Sequence, residues 1–363
     1  METFDVYTAV VFQTETEVVR KRSDIKKTNL KRIVDICGRM AAYTPTVKPP
    51  YCPPDYPEWA PIKLLAFPEY CLAGPSFNID MMALTIEIPG EETEMLSDLA
   101  RKHDVYISCA AIEQLPEFPG RYFNCNFLIA PDGKIIHKYH KYNTAIHHEL
   151  STSPHDVYEE YYQAYGNGRS RLQTFFPVAD TSIGKIGALL CYDGCFNENW
   201  RALALNGAEI IIHGNLVEPM TSPPRDWREL MARWNAVTNI VYVLAPQQGS
   251  LIREESVKYY QSGGSLIVDP EGVVIARAPF PGEAMTSAVI RLGHLRRRRM
   301  NSGYNFLSQL RTEVYAEMFK EPIYPPNALA EPIRNASEIY KKRDPHSLGI
   351  IQKLVKRGVL TPP

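Results

Sequence analysis

The sequence predicts an α/β fold of layered sheets and helices, and three observations carry that expectation. Short apolar runs alternate with segments whose apolar residues recur at helical spacing. Two strand pairs are joined by tight turns, Pro131-Asp132-Gly133 and Pro270-Glu271-Gly272, and read as hairpins. Finally, 45% of the 363 residues are hydrophobic, with no internal repeat and no clean linker before about residue 290, so one large core is expected.

The elements follow in order. Residues 6–12 form a strand, and Ser23 or Asp24 caps a helix carrying Ile33, Val34, Cys37, Met40 and Ala41. The stretch 44–61 holds seven prolines, which exclude a helix interior or a central strand and leave an ordered loop or insertion. A short strand over 62–67 runs into Pro68-Glu69-Tyr70. Pro89-Gly90-Glu91-Glu92-Thr93 opens a helix with acids in its first turn, as the helix dipole favours. A strand over 105–112 precedes the first hairpin, 126–130 with 134–139, which delivers the chain to Lys141. An aromatic, polar stretch with Tyr158, Tyr161, Tyr162 and Tyr165 comes next. The apolar run 186–190 then breaks at Cys191-Tyr192-Asp193-Gly194 ahead of a helix over 197–207. A strand over 209–213, an amphipathic helix over 226–239, a strand over 240–245, the second hairpin (265–269 with 273–276) and a last strand over 285–290 complete the layered unit. From Gly293 the chain becomes a mixed tail, in which Leu307, Leu310, Val314, Tyr315 and Met318 recur at helical spacing.

Charge and cysteine usage exclude several classes. Forty Lys+Arg against 41 Asp+Glu leave a net charge of −1, so nothing global draws the chain to nucleic acid or an anionic membrane. The run Arg296-Arg297-Arg298-Arg299 is better read as helix-start ion pairing or a subunit contact. The acidic start lacks a signal-peptide layout, and no apolar run approaches the roughly 18 residues of a membrane span. Seven scattered cysteines suit reduced thiols in a cytoplasm. No metal is expected: there is no C-x-x-C pair, and neither His137 with His140 nor His147-His148 has a third ligand at convincing spacing.

Chemistry concentrates at strand ends. Cys191 stands where an apolar strand breaks into a turn, held rigidly and near unpaired backbone N–H groups, as a nucleophilic thiol requires. Taken alone it reads more readily as a packed small hydrophobe. Glu69 and Lys141 occupy similar positions just past strands. A carboxylate to take the thiol proton, a thiolate to attack a carbonyl and an ammonium to hold the oxyanion would make a complete acyl-transfer site.

The segments Phe67-Pro68-Glu69-Tyr70, Lys138-Tyr139-His140-Lys141 and Leu190-Cys191-Tyr192-Asp193-Gly194 with Trp200-Arg201, in this order, resemble the nitrilase superfamily of carbon–nitrogen hydrolases. The closest likeness is to its aliphatic amidase and formamidase branch, with which residues 88–94 are also shared. The resemblance implies a four-layer α-β-β-α sandwich over 1–292, a C-terminal extension over 293–363 suited to contacting a neighbouring subunit, and a homo-oligomer of two or more chains. It implies Glu69 as general base, Lys141 as oxyanion stabiliser, Cys191 as nucleophile and Glu149 as a second, substrate-positioning glutamate, with Glu159 or Glu160 as alternatives. The Tyr192 backbone N–H would be the second oxyanion donor, and Tyr70 and Asp193 would line the pocket. The implied activity is hydrolysis of a small carboxylic amide to acid and ammonia through a thioester, with no cofactor. A nitrilase or an N-carbamoyl amide hydrolase would use the same triad, although Tyr192-Asp193-Gly194 after the cysteine is amidase-like. An inactive binding or assembly relative would be expected to have lost a triad residue.

Three departures from the branch sit beside the expected pocket: the Pro-rich stretch 44–61, a long interval between Lys141 and Cys191, and Ala145 where a bulky aromatic is usual. Either they enlarge the pocket for a bigger or aromatic amide, or they serve subunit contacts and leave it small.

Overall fold

The computed structural model describes residues 3–42, 60–75, 81–145, 149–216, 226–252, 258–261, 263–279 and 281–363. Most of the expected 44–61 insertion, together with His147 and His148, lies outside the described residues.

The chain builds two sheets. In the first, the path runs β11 (Lys258–Tyr260), β10 (Gln248–Ile252), β1 (Val6–Glu17), β2 (Ile62–Ala66), β3 (Tyr106–Glu113), β4 (Phe123–Ile129), β5 (Ile135–His140), and β14 (Ala284–Arg291) also pairs with β1. The second is ordered β13 (Val274–Arg277), β12 (Leu266–Val268), β9 (Tyr242–Ala245), β8 (Ile210–Gly214), β7 (Gly184–Leu190), β6 (Val178–Thr181). Parallel pairings at β1–β2–β3 and β7–β8–β9 need long crossovers, which helices supply.

The period-2 alternation of β1 shows why there are four layers. Tyr7, Ala9 and Val11 pack with Leu64, Ala66, Ile210, Ile212 and Leu244 between the two sheets. Val10 and Phe12, on its other face, pack with Ile33, Cys37, Leu96 and Leu99. Those residues come from α2 (Lys31–Ala42) and α3 (Glu91–His103); α1 (Arg22–Ile25) leads into α2 through one wide turn, Lys26–Leu30. Neither Ser23 nor Asp24 caps this helix: it begins at Arg22, after Lys21, with no side-chain cap. The second sheet is covered by α6 (Asn197–Leu205) and α7 (Trp227–Asn239), through Trp200, Leu203, Ala232 and Ala236. No helix among the described residues is long and apolar enough to cross a membrane.

The Tyr-rich segment forms α4 (Tyr158–Tyr165) and α5 (Arg171–Phe175). Its rings are spent on packing: Tyr158 stacks on Phe175 at 4.6 Å, and the Tyr161 hydroxyl lies 2.7 Å from His140 Nδ1.

The tail is more ordered than its composition suggests. α8 (Leu292–Met300) buries Leu292 and Leu295 between the sheets, and its arginines reach Glu209, Glu271 and the carbonyls of Ala208 and Ile240. α9 (Thr312–Met318) leaves Val314 and Met318 exposed. The chain then folds back: Leu329, Ile333, Ala336 and Ile339 join the core beside α2 and α3. Gly120, at φ +76°, permits this close approach, because a Cβ there would sit 2.3 Å from the Ile333 carbonyl oxygen. In α10 (Glu338–Lys356), Arg343 is 1% exposed and donates to the Glu149 carbonyl (2.9 Å), the Ser151 carbonyl (2.8 Å) and the Asp156 carboxylate (2.7 Å). Part of the expected subunit-contacting extension is therefore integral to its own chain's core.

Arg343→Met should lower unfolding free energy by about 3–5 kcal/mol in urea titration, because it strands the buried Asp156 charge. The double variant with Asp156→Leu should recover much of the loss; equal destabilisation of both would contradict an ion-pair role.

Two buried histidines set an acid limit. Burial pushes His137 down to about 4 and His213 down to about 3, against bonds to the Pro177 and Cys191 carbonyls that pull the other way. Both are neutral in the folded chain and protonate near the ordinary 6.5 once unfolded. Their contribution is present above that value and is lost as pH falls towards the folded one. Between pH 6.5 and 5, His213→Gln should therefore lose about 2 kcal/mol less stability than the parent protein. Identical slopes by urea titration at each pH would remove His213 from this account.

Candidate active site

Three strand ends converge at one end of the two sheets. After β2, Phe67 stacks on Phe12 with ring centroids 4.4 Å apart, and this turns Glu69 inward to 1% exposure. After β5, the Lys141 N–H donates to the Asn124 carbonyl at 2.9 Å, extending the β4–β5 ladder by one residue. After β7, Cys191 takes φ +45°, a left-handed conformation that costs a non-glycine residue about 1–2 kcal/mol and turns the chain sharply.

That turn is held from several sides. The His213 Nε2–H donates to the Cys191 carbonyl at 2.9 Å; since a carbonyl only accepts, this fixes the tautomer. Trp200 Nε1–H donates to the Gly194 carbonyl at 2.9 Å. A Cβ on Gly194 would lie 2.4 Å from the His213 ring, so only glycine fits there. The Asp193 carboxylate accepts from Tyr139 OH (2.9 Å), Asn143 N–H (2.6 Å) and Leu190 N–H (3.1 Å). Burial raises Asp193 to about 7, against the lowering effects of Lys141 and these donors. Asp193 is fully buried, and both its oxygens are engaged with protein. Asp193, expected beside the substrate, braces the turn that carries Cys191.

The centre is a fully buried ionic network. The Lys141 ammonium donates to Glu69 Oε1 at 2.8 Å and Glu149 Oε2 at 2.7 Å. Glu149 also accepts from Tyr70 OH (2.8 Å) and Ala145 N–H (2.7 Å). Glu69 accepts from Asn124 Nδ2 (2.8 Å) and from the Leu216 N–H (3.1 Å). The Cys191 Sγ–H lies 3.7 Å from the Leu216 carbonyl, so a single residue of backbone touches the carboxylate through its N–H and the thiol through its oxygen. Arg228, from the first turn of α7, brings both terminal nitrogens to 3.8 and 3.9 Å from Cys191 Sγ.

The protonation preferences follow from this geometry. Burial raises Glu69 despite the Lys141 charge. For Glu149, burial is outweighed by Lys141, the Ala145 N–H and Tyr70, and the group is held below the usual carboxylate range. Burial disfavours the Lys141 ammonium, but Glu149 and Glu69 overcome it and hold its pKa well above the usual lysine value. Burial and Glu69 push the Cys191 thiol up to about 11, with Arg228 and Lys141 pulling it down. The site thus offers an acceptor raised towards neutrality, a permanent cation and a thiol that ionises only by handing its proton to a neighbour.

The structure brings Glu69, Lys141, Cys191 and Glu149 together, with Tyr70 bonded to Glu149. The alternatives to Glu149 lie elsewhere: Glu159 pairs with Arg171 on the surface, and Glu160 is exposed on α4. The Tyr192 side chain is 40% exposed, its ring edge against Phe196. Sequence reading missed Asn124, Leu216, Gln248, which donates to the Glu69 carbonyl at 2.8 Å, and Arg228. A polar residue amid the apolar strand Phe123–Ile129 was the available signal for Asn124. Leu216 acts through its backbone, which no side-chain pattern reveals.

Glu113, Cys125 and His140 place donor atoms within 4.8 Å of one another. They are already engaged: His140 lies between Tyr161 and Glu113 at 2.7 Å each, and Glu113 also accepts from Lys138 at 2.6 Å. His137 lies on the opposite face of β5, against the Pro177 carbonyl, so the two histidines do not form a ligand pair.

Residues 26–300 match the family model described as carbon-nitrogen hydrolase. The chain is 32% identical to an omega-amidase of Xenopus laevis over 233 residues, covering 64% of this chain and 78% of that protein. It is 29% identical to an omega-amidase of Homo sapiens over 260 residues, covering 72% and 87%. Among solved structures, it superposes on a Saccharomyces cerevisiae member of the nitrilase superfamily with a TM-score of 0.62 at 20% identity, covering 85% of this chain and 97% of that one. A carbon-nitrogen hydrolase from Helicobacter pylori gives 0.64 at 19% identity, covering 88% and 99%. These likenesses agree with the α-β-β-α layering. The chain belongs to the carbon–nitrogen hydrolase family of the nitrilase superfamily, and it is a hydrolase of non-peptide carbon–nitrogen bonds.

Proposed function

We propose that this protein is an amidase that converts a carboxylic amide to the acid and ammonia through a thioester on Cys191. The observation that carries the reading is the buried Lys141 ammonium held between Glu69 and Glu149 beside a strand-end cysteine. The relatives named omega-amidases support an amide substrate.

Glu69 takes the thiol proton as sulfur attacks the amide carbon. Its raised proton affinity narrows the gap to a thiol standing at about 11. The carbonyl oxygen gains negative charge, which Lys141 and the Tyr192 N–H stabilise; Tyr192 lies at the start of a tight turn, where backbone donors lack partners within the turn. Collapse expels ammonia with the proton from Glu69 and leaves the thioester. Water, deprotonated by Glu69, then releases the acid. Glu149 fixes Lys141, and Tyr70 and Ala145 N–H fix Glu149 in turn.

We further propose that the chain works as a homo-oligomer in the cytoplasm. The six described cysteines are free thiols, in line with a reducing compartment, and α9 presents Val314 at 66% and Met318 at 59% exposure, in line with a subunit contact.

Trapping with amides from formamide and acetamide to benzamide, read by ammonia release and intact mass, tests the chemistry. An acyl adduct confined to Cys191 and absent from Cys191→Ala is expected; Lys141→Ala should cut turnover on the order of 10²–10³-fold. Release of ammonia only from nitriles or carbamoyl compounds would redirect the substrate assignment. Sedimentation velocity tests the assembly: Val314→Glu with Met318→Glu should shift the parent assembly towards a smaller species, and a monomeric parent would end that part of the reading.

A further inference from the structure

Proton transfer from Cys191 to Glu69 leaves a negative sulfur beside a buried ionic network, and a charge so placed needs a partner. The titratable and charged groups around that sulfur come from every neighbouring element. Glu69 and Tyr70 follow β2, Lys141 follows β5, and Glu149 lies in the loop beyond it. Asp193 belongs to the turn itself, His213 to β8 and Arg228 to α7. Lys141 is already shared between two carboxylates, and Asp193 is matched by its own three donors. His213 is neutral and directed at a carbonyl. The ionised pair Glu69 and Glu149 exceeds Lys141 by one negative charge, and moving the proton from sulfur to Glu69 only relocates that excess onto sulfur.

Arg228 supplies the missing cation. The residue is 9% exposed, and its guanidinium is fixed by the Asn215 side-chain oxygen at 2.6 Å and the Leu216 carbonyl at 3.1 Å, with both terminal nitrogens against Sγ. Its Nε–H has no partner among the described residues, so the protein does not exhaust its donor capacity. We propose that Arg228 is a further catalytic residue, which pairs with the Cys191 thiolate and keeps the site electrically balanced throughout the cycle. With it, the sum over Glu69, Glu149, Lys141, Arg228 and the reacting group is zero in the resting thiol, in the thiolate with protonated Glu69, in the oxyanion and in the thioester. This division of labour frees Lys141 to serve the carbonyl oxygen while Arg228 serves the sulfur. The inference rests on Cys191 being the nucleophile.

The test is the pH dependence of alkylation by iodoacetamide, followed by mass in a Cys195→Ser background so that the exposed neighbour does not contribute. The midpoint should rise by about one unit or more in Arg228→Gln, with labelling roughly tenfold slower below the midpoint, while Arg228→Lys should stay within about half a unit of the parent. An unchanged midpoint in Arg228→Gln overturns the proposal, and so does a Lys variant shifted as far as the Gln variant. Should Arg228→Gln not fold, Asn215→Ala, which frees the guanidinium from its anchor, should raise the midpoint, and no shift there overturns it as well. Retention of amide turnover by a parent enzyme fully alkylated at Cys191 would instead sink the nucleophile assignment, a result distinguishable from the others.

Discussion

One ammonium between two carboxylates organises this molecule. Removing any of the three charges would leave an uncompensated ion in the interior, a far larger penalty than the pair is worth in water. The network is therefore tied to backbone at each point: Glu69 to Leu216, Glu149 to Ala145, Lys141 to the ladder of β4. The sheets supply the rigidity that such a cluster needs. β1 is buried on both faces and pairs in parallel with β2 and β10 and antiparallel with β14, so the sheets fix the ends of β2, β5 and β7 relative to one another.

Much of this was legible in the sequence because strand ends announce themselves. Phe67-Pro68-Glu69, His140-Lys141 and Leu190-Cys191 each mark a point where apolar alternation stops, and residues placed there cannot be packing the core of their own strand. The two hairpins and the helices 91–103 and 227–239 were likewise written in period and turn chemistry. What escaped has a common cause. β6 and β11 are four and three residues long, too short for a pattern to rise above the surrounding loop. Asp193 reads from its position as a pocket residue, yet its three donors come from Tyr139, Asn143 and Leu190, on two different strands' ends. Tertiary partners decided its role, and spacing could not.

The tail shows the same limit from the other side. Its composition, rich in proline and lysine, suggested an appendage, but four apolar residues between 329 and 339 and a single glycine at 120 allow it to dock. The exposed side chains of α9 lie just upstream of this docked stretch, so the segment divides into a part that completes the domain and a part that faces outward.

Arg343 gives that docking a further meaning. It grips the Glu149 carbonyl from 194 positions downstream, farther along the chain than any hydrogen bond within the charged cluster. A loop that long costs only slightly more to close than one half its length, and the β1–β14 pairing already joins positions as far apart as Val6 and Arg291. A chain cut before the final helix would keep every strand, with the acid, amine and sulfur at their ends, and lose the clamp on the loop that carries the second glutamate. The last helix thus bears on the charged centre without contributing a side chain to it.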